Sequence, residues 1–182
     1  MCQLCGESSF GAHSISISER PRQLLGGLRW SGTHEQAASG ETESLLRRVQ
    51  AFSASRKAVW KSPIVALSRA LGEGSFEYFA GIAVEQGEQL PPGFEPLDLV
   101  EMTVASSWHG PQDADVVTHY GHILDWIRTS GYRRDRTHYD HREEYPHDAD
   151  LVAPPALRLM LPVQPVEVAT TRMTGGFSAT SV

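Results

Sequence analysis

The stretch Leu28-Arg29-Trp30-Ser31-Gly32 returns as Ser106-Ser107-Trp108-His109-Gly110, a spacing of 78 residues (108 − 30). The same spacing sets Leu45 and Leu46 on Ile123 and Leu124, Val49 on Ile127, and Ile82 on Met160. A long internal repeat of this kind implies two half-domains of like architecture. It also shows one break, because Val65 falls on Glu143. An apolar position in one half is a carboxylate in the other, and function is expected where near-symmetry fails.

The local patterns around the repeat describe one β-α-β-β unit twice. In the first, Arg22–Trp30 is an apolar, strand-like run, and Gly26-Gly27 inside it signal a bulge or a close backbone approach. Leu45, Val49 and Phe52 fall on one stripe of a helix over Glu41–Ser53, with Glu41 and Glu43 in its first turn. Two strands, Ile64–Leu71 and Phe76–Val84, follow around the turn Gly72-Glu73-Gly74. The break Leu90-Pro91-Pro92-Gly93 separates the halves. In the second unit, Leu97–Trp108 is strand-like and Pro111 is placed for a first helical turn. A helix over Asp113–Thr129 carries Val116, Tyr120, Ile123 and Ile127 on one face and ends near Gly131. Thr137–Tyr145 and Ala156–Val163 are the last strands.

The expected fold is therefore α+β. Two βαββ units related by a pseudo-twofold pair into one antiparallel sheet, with a central cleft and helices on the outer face. Residues 1–13 and 166–182 have the composition of tails. The domain is expected over 14–165, with halves 14–90 and 94–165.

A length of 182 residues with 40% hydrophobic content supports a core in one domain or two packed halves. The net charge of −6 argues against a general nucleic-acid surface, which needs clustered Lys and Arg. No apolar run approaches the roughly 20 residues of a membrane span, and no secretory signal pattern opens the chain, so a cytoplasmic location is expected. Cys2 and Cys5 form a Cys-x-x-Cys pair near the N-terminus. With His13 they supply at most three of the four ligands of a structural zinc site, and no strand precedes them as a redox pair requires.

Strand alternation places Tyr139, His141, Glu143 and Tyr145 on one face. Trp30 and Trp108, at matched positions, supply walls for a cleft, and Phe76 and Tyr78 share a face on the first half's last strand. A carboxylate among aromatic rings binds organic cations through charge, dispersion and cation–π contact. The same Glu143, its pKa raised by burial, can serve as a general acid or base. The competing reading is plain core packing for the aromatics and a Glu143 that faces solvent or pairs with Arg134, Arg136 or Arg142. A one-residue slip would make Glu144 the carboxylate in the cleft.

Six histidines, at 109, 119, 122, 138, 141 and 147, lie in the second half. His119 and His122 are spaced to share a metal on a helix, but no His-Glu-x-x-His pattern exists, and the expectation is no metal and no cofactor. There is no phosphate-binding Gly-x-x-x-x-Gly-Lys loop and no Gly-x-Ser-x-Gly elbow. Arg133–Arg136 is expected as a solvated loop.

Several stretches in order resemble one known family. They are Leu25-Gly26-Gly27-Leu28 leading to Gly32-Thr33, the run Phe76 to Val84, and Pro92-Gly93-Phe94-Glu95. Then come Trp108-His109-Gly110-Pro111, the helix end Leu124-Asp125-Trp126-Ile127, and Ser130-Gly131-Tyr132. The clearest is Glu143-Glu144-Tyr145-Pro146-His147-Asp148 before a last strand ending Leu161-Pro162-Val163. The pattern resembles the GyrI-like small-molecule-binding domains, which include effector-binding domains of AraC-type and MerR-type regulators and drug-binding integron-cassette proteins. The resemblance implies two βαββ halves around a hydrophobic pocket whose Glu maps onto Glu143. It implies a small hydrophobic, cationic or aromatic ligand, in the manner of drug-resistance proteins. It implies neither nucleic acid nor membrane as a partner, and a monomer or weak homodimer. About 14 residues precede the domain, too few for a helix-turn-helix module, so a stand-alone binder is expected. A second branch of that family hydrolyses cyclopropane-bearing antibiotics, in which case Glu143 and Tyr145 would be catalytic. The family name also suggests a topoisomerase partner, a weaker third reading.

Overall fold

The computed structural model describes residues 14–57 and 60–166. Cys2, Cys5, His13 and the proposed tail residues 1–13 and 167–182 lie outside the described residues. The first half contains β1 (Ser16–Arg20), β2 (Gln23–Thr33), α1 (His34–Ala38), α2 (Glu41–Ser55), β3 (Ile64–Gly72) and β4 (Ser75–Ala83). The second contains β5 (Glu95–Leu99), β6 (Met102–His109), α3 (Val116–Thr129), β7 (Tyr132–Arg134), β8 (His141–Tyr145) and β9 (Leu157–Pro165). The sheet is antiparallel in the order β1-β6-β9-β8-β3-β4-β2-β5, with β7 beside β9. The units β2-α2-β3-β4 and β6-α3-β8-β9 thus join through the β3·β8 pair, and the expected α+β architecture is the one observed.

The strand that leads into each unit is exchanged. β1 precedes β2 yet pairs with β6, and β5 precedes β6 yet pairs with β2. Each hand-over spans only two residues, Pro21-Arg22 and Val100-Glu101. Such links reach roughly 11 Å, whereas six flat strand spacings of about 4.8 Å would separate the strands that each link joins far more widely. The sheet therefore curls until its edges meet at one end. This encloses the face away from the helices, where Leu25, Val65, Leu67, Phe79 and Leu99 form a buried cluster. On the other face, α2 packs Leu45, Leu46 and Val49 over Leu28, Ile64, Ala66, Ala80 and Ile82. There α3 packs Ile123 and Ile127 over Ala105, Leu157, Leu159, Leu161 and Val163. The apolar stripes of the two helices account for both clusters.

Several boundaries differ from the sequence reading. The run Leu97–Trp108 divides into β5 and β6 at Val100-Glu101, where the chain crosses between sheet edges. Pro111 lies in a turn before α3, whose N-cap is Asp115; its carboxylate accepts the Thr118 N–H at 2.9 Å. Ser130, not Gly131, closes the helix. Residues 137–140 form a loop instead of the start of β8, because Asp135 Oδ1 turns the chain by accepting the Thr137 N–H at 2.9 Å. The pair Gly26-Gly27 sits in an unbroken ladder with β4, so it marks a close approach and no bulge. In the hairpin turn Gly72, Glu73 and Gly74 all have positive φ, a conformation that glycine adopts without steric cost.

The structure also corrects the repeat. Trp30 pairs with Tyr78 on the helix side, whereas Trp108 pairs with Arg158 on the enclosed side. A spacing of 78 therefore exchanges the two faces. Matching strand with strand gives 79 (102 − 23): Ser16–Arg20 maps onto Glu95–Leu99 and Gln23 onto Met102. Trp30 then corresponds to His109. Keeping the ladders in step, Glu143 corresponds to Ala66 with a spacing of 77 (143 − 66), and not to Val65. Ala66 and Glu143 stand directly opposite each other across the central β3·β8 pair.

Candidate functional site

The helices flank β8 without lying on it. α2 contacts β2, β3 and β4, and α3 contacts β6 and β7. Strand alternation turns His141, Glu143 and Tyr145 toward the helix side and Arg142 and Glu144 toward the enclosed side. Tyr145 packs against both helix-side clusters, which locates β8 between them.

Glu143 is half-buried between Leu159 on β9 and Ala66 on β3. Tyr145 donates its hydroxyl to Glu143 Oε2 at 2.8 Å, and Tyr120 of α3 donates to Oε1 at 3.1 Å. Tyr78, buried on β4, is hydrogen-bonded to Tyr145. Burial pushes the Glu143 carboxyl above the usual carboxylate range, and the two tyrosine hydroxyls partly oppose this by favouring the ionised form. Burial, followed by the charge of Glu143, pushes Tyr78, Tyr120 and Tyr145 well above the usual phenol range. All three stay protonated, and Tyr120 and Tyr145 act as donors to Glu143.

His141 sits edge-on to Tyr120 with ring centres 4.9 Å apart, and its Nδ1 lies 3.2 Å from Ser68 Oγ. Burial first, then the Arg134 guanidinium, lowers its pKa to about 4, so the ring is neutral near pH 7. Trp30 and Phe76 lie on the same side, farther along it. Cross-strand register runs His141–Ser68–Tyr78–Trp30 over four strands. That places Trp30 about 14 Å from His141, at three strand spacings of roughly 4.8 Å. Phe76 meets Trp30 edge-on at 5.3 Å and stacks on His34 at 4.9 Å.

Two expected residues do not join the site. Trp108 is 38% exposed and lies on the opposite face of the sheet, for the reason already given. Tyr139 precedes β8 in a loop, so strand alternation does not govern it; it packs on the enclosed Leu25–Phe79–Leu99 cluster. Glu144 also faces the enclosed side and is ion-paired, with Arg142 Nη2 at 2.8 Å and Arg20 Nε at 3.4 Å. Tyr120 was not among the expected site residues. The available signal was a hydroxyl on the apolar stripe of its helix, where a buried donor needs an acceptor.

Replacing Tyr120 with Phe is expected to raise the Glu143 pKa further, because a donor to the carboxylate is lost. The effect of one such hydrogen bond, on the order of 1 kcal/mol, corresponds to somewhat less than one pH unit. Carboxyl-carbon NMR titration of both proteins checks this.

The chain belongs to the GyrI-like small molecule binding domain family, whose model matches residues 13–164. Several solved structures share the fold, three of them as follows. The C-terminal domain of EcmrR is 12% identical with a TM-score of 0.60, covering 84% of this chain and 98% of that one. SAV2435 bound to tetraphenylphosphonium is 12% identical with a TM-score of 0.56, covering 84% and 94%. A hydrolase from Listeria innocua is 12% identical with a TM-score of 0.51, covering 86% and 94%. No curated protein matches the chain. No helix among the described residues is long and apolar enough to cross a membrane.

Proposed function

We propose that the helix-side surface of β8 binds a hydrophobic, aromatic cation, with Glu143 as counter-charge and Tyr78, Tyr120 and Tyr145 around it. The observation that carries this reading is the contrast between adjacent carboxylates. Glu144 is held by two guanidiniums, whereas Glu143 is held by tyrosine hydroxyls and has no ion-pair partner among the described residues. A half-buried carboxylate without a cation is costly, and a ligand cation offsets that cost. Each ring facing the cation adds about 0.5–2 kcal/mol. His141, neutral near pH 7, adds no competing positive charge. The tetraphenylphosphonium bound by SAV2435, a protein of the same fold, is a ligand of this class. The role is sequestering or sensing such compounds.

Binding should depend on pH with a definite sign. The cation needs ionised Glu143, whose pKa lies above the ordinary carboxylate range. For a permanently charged dye, affinity is expected to rise with pH through the Glu143 titration, by up to about tenfold per unit below its pKa. Dye fluorescence measured from about pH 4 to 8, around the ordinary carboxylate and imidazole pKa values, checks the trend. A flat profile would count against the carboxylate as counter-charge.

A second reading is supported by the raised carboxyl pKa beside a hydroxyl donor. Glu143 would then act as general acid or base on a strained electrophile such as a cyclopropane, with Tyr145 orienting it. A protein described as a hydrolase shares the fold. Chromatographic product analysis over a panel of such electrophiles separates the readings, since absence of turnover leaves binding alone.

A further inference from the structure

We propose that His109, Asp113 and His119 form a binding site for a divalent transition metal, with Zn2+ the best-suited ion. The three residues come from the end of β6, the turn that follows it, and the beginning of α3. His109 and His119 are 2% and 1% exposed, and Asp113 is half-buried. One ligand atom from each lies within 4.8 Å of the others. His109 Nδ1 and His119 Nδ1 are 3.0 Å apart, and His119 Nδ1 is 4.0 Å from Asp113 Oδ2. Tetrahedral zinc with bonds of about 2.0–2.1 Å sets its ligand atoms roughly 3.3 Å apart. The two imidazoles must therefore part slightly, and the carboxylate must approach His119 by about 0.7 Å and His109 by up to about 1.5 Å.

The surroundings orient these groups as metal ligands are oriented. His119 Nε2 lies 2.9 Å from Ser107 Oγ, so a proton on Nε2 directed at that hydroxyl leaves the Nδ1 lone pair pointing at His109. The Gly110 N–H donates to Asp113 Oδ2 at 2.7 Å and fixes the carboxylate. With His109 in the same tautomer, two lone pairs and one anionic oxygen converge, and a fourth position is left for water. Two imidazoles with one carboxylate suit zinc or cobalt better than magnesium or calcium, which prefer all-oxygen sets.

The pseudo-symmetry gives an independent reason to see function here. The first-half counterparts of Ser107 and His109 are Leu28 and Trp30, both in the apolar cluster beneath α2. The second half buries a hydrogen-bonded polar chain, Ser107–His119–His109, where the first buries hydrocarbon. A metal at His119 would also anchor the first turns of α3, one residue from Tyr120, which donates to Glu143.

The test uses the full chain, stripped with a chelator and titrated with Co2+ by visible absorption. The expected result is one equivalent of cobalt with d–d bands, displaced by Zn2+. Asp113→Asn keeps an oxygen for the Gly110 N–H, and should keep the metal-free melting temperature while weakening cobalt binding by at least about tenfold. His119→Gln should abolish the bands, and Cys2→Ser with Cys5→Ser should leave them unchanged. The proposal is overturned by absence of d–d bands at saturating cobalt. It is equally overturned if Asp113→Asn binds cobalt as wild type does, or if the bands vanish in the Cys2→Ser, Cys5→Ser protein.

Discussion

Glu143→Gln is expected to weaken binding of a quaternary aromatic cation at least tenfold, about 1.4 kcal/mol, without loss of stability. The substitution keeps the side-chain shape. The amide oxygen can still accept from one tyrosine, and the amide N–H groups can donate to the other tyrosine's oxygen. What disappears is the charge. In the folded wild type, burial raises the carboxyl pKa above its unfolded value. Such a group costs no stability below the unfolded pKa, and its full cost is present above the folded pKa. The variant should therefore be as stable as wild type in acid and more stable at neutral pH. Thermal melts at acidic and neutral pH, paired with dye titrations, give both arms. A carboxylate kept at a cost to stability and needed for binding is the mark of a functional group. Equal dye affinity in the two proteins would remove Glu143 from the site.

Gly27→Ala is expected to be the most destabilising conservative substitution in the sheet. A Cβ there would lie 2.2 Å from Ala80 O, 2.6 Å from Phe79 Cζ and 2.7 Å from Gly81 Cα. Two of those atoms are backbone of the paired strand β4, and the third belongs to a fully buried ring. β2 cannot move aside, because β4 and β5 hold it from both sides. A loss of about 3 kcal/mol or more in urea-induced unfolding is predicted. Gly26→Ala is the control. Its Cβ would meet the Leu90 side chain at 2.6 Å and the Val84 side chain at 3.0 Å, and side chains can yield. Its cost should be nearer 1 kcal/mol. Similar costs for both would mean that the close approach of β2 to β4 is not what the glycine serves.

The βαββ plan was legible because helix and strand periodicities are strong over residues such as Leu45–Val49 and Ile64–Leu67. The topology of the edges was not. β1 and β5 are five-residue strands whose partners belong to the opposite half, and local sequence carries no record of such an exchange. The repeat drew attention to Glu143 although its spacing was one residue off. Two tryptophans formed a conspicuous match, but Trp108 is a partly exposed residue on the other face and His109 is the true counterpart of Trp30. In a strand a one-residue error reverses the face, which moves Trp108 from the enclosed side to the cleft side; Tyr120 lies on a helix stripe that reads equally well as core packing. Alternation does not reach Tyr139, because Asp135 turns the chain into a loop before β8 begins. The convergence of His109, Asp113 and His119 was invisible for another reason: it joins a strand end, a turn and a helix, and only their packing sets the distances.

The most direct test of the central claim is a crystal structure with a tetraphenylphosphonium-like cation. Ligand is expected between α2 and α3 over β8, with an aromatic group on Tyr120, Tyr145 or Tyr78 and the cationic centre within about 6 Å of an aromatic ring, facing the Glu143 carboxylate. Ligand held on the enclosed face beside Glu144 and Arg142, or on the exposed surface of Trp108, with Glu143 untouched, would contradict it.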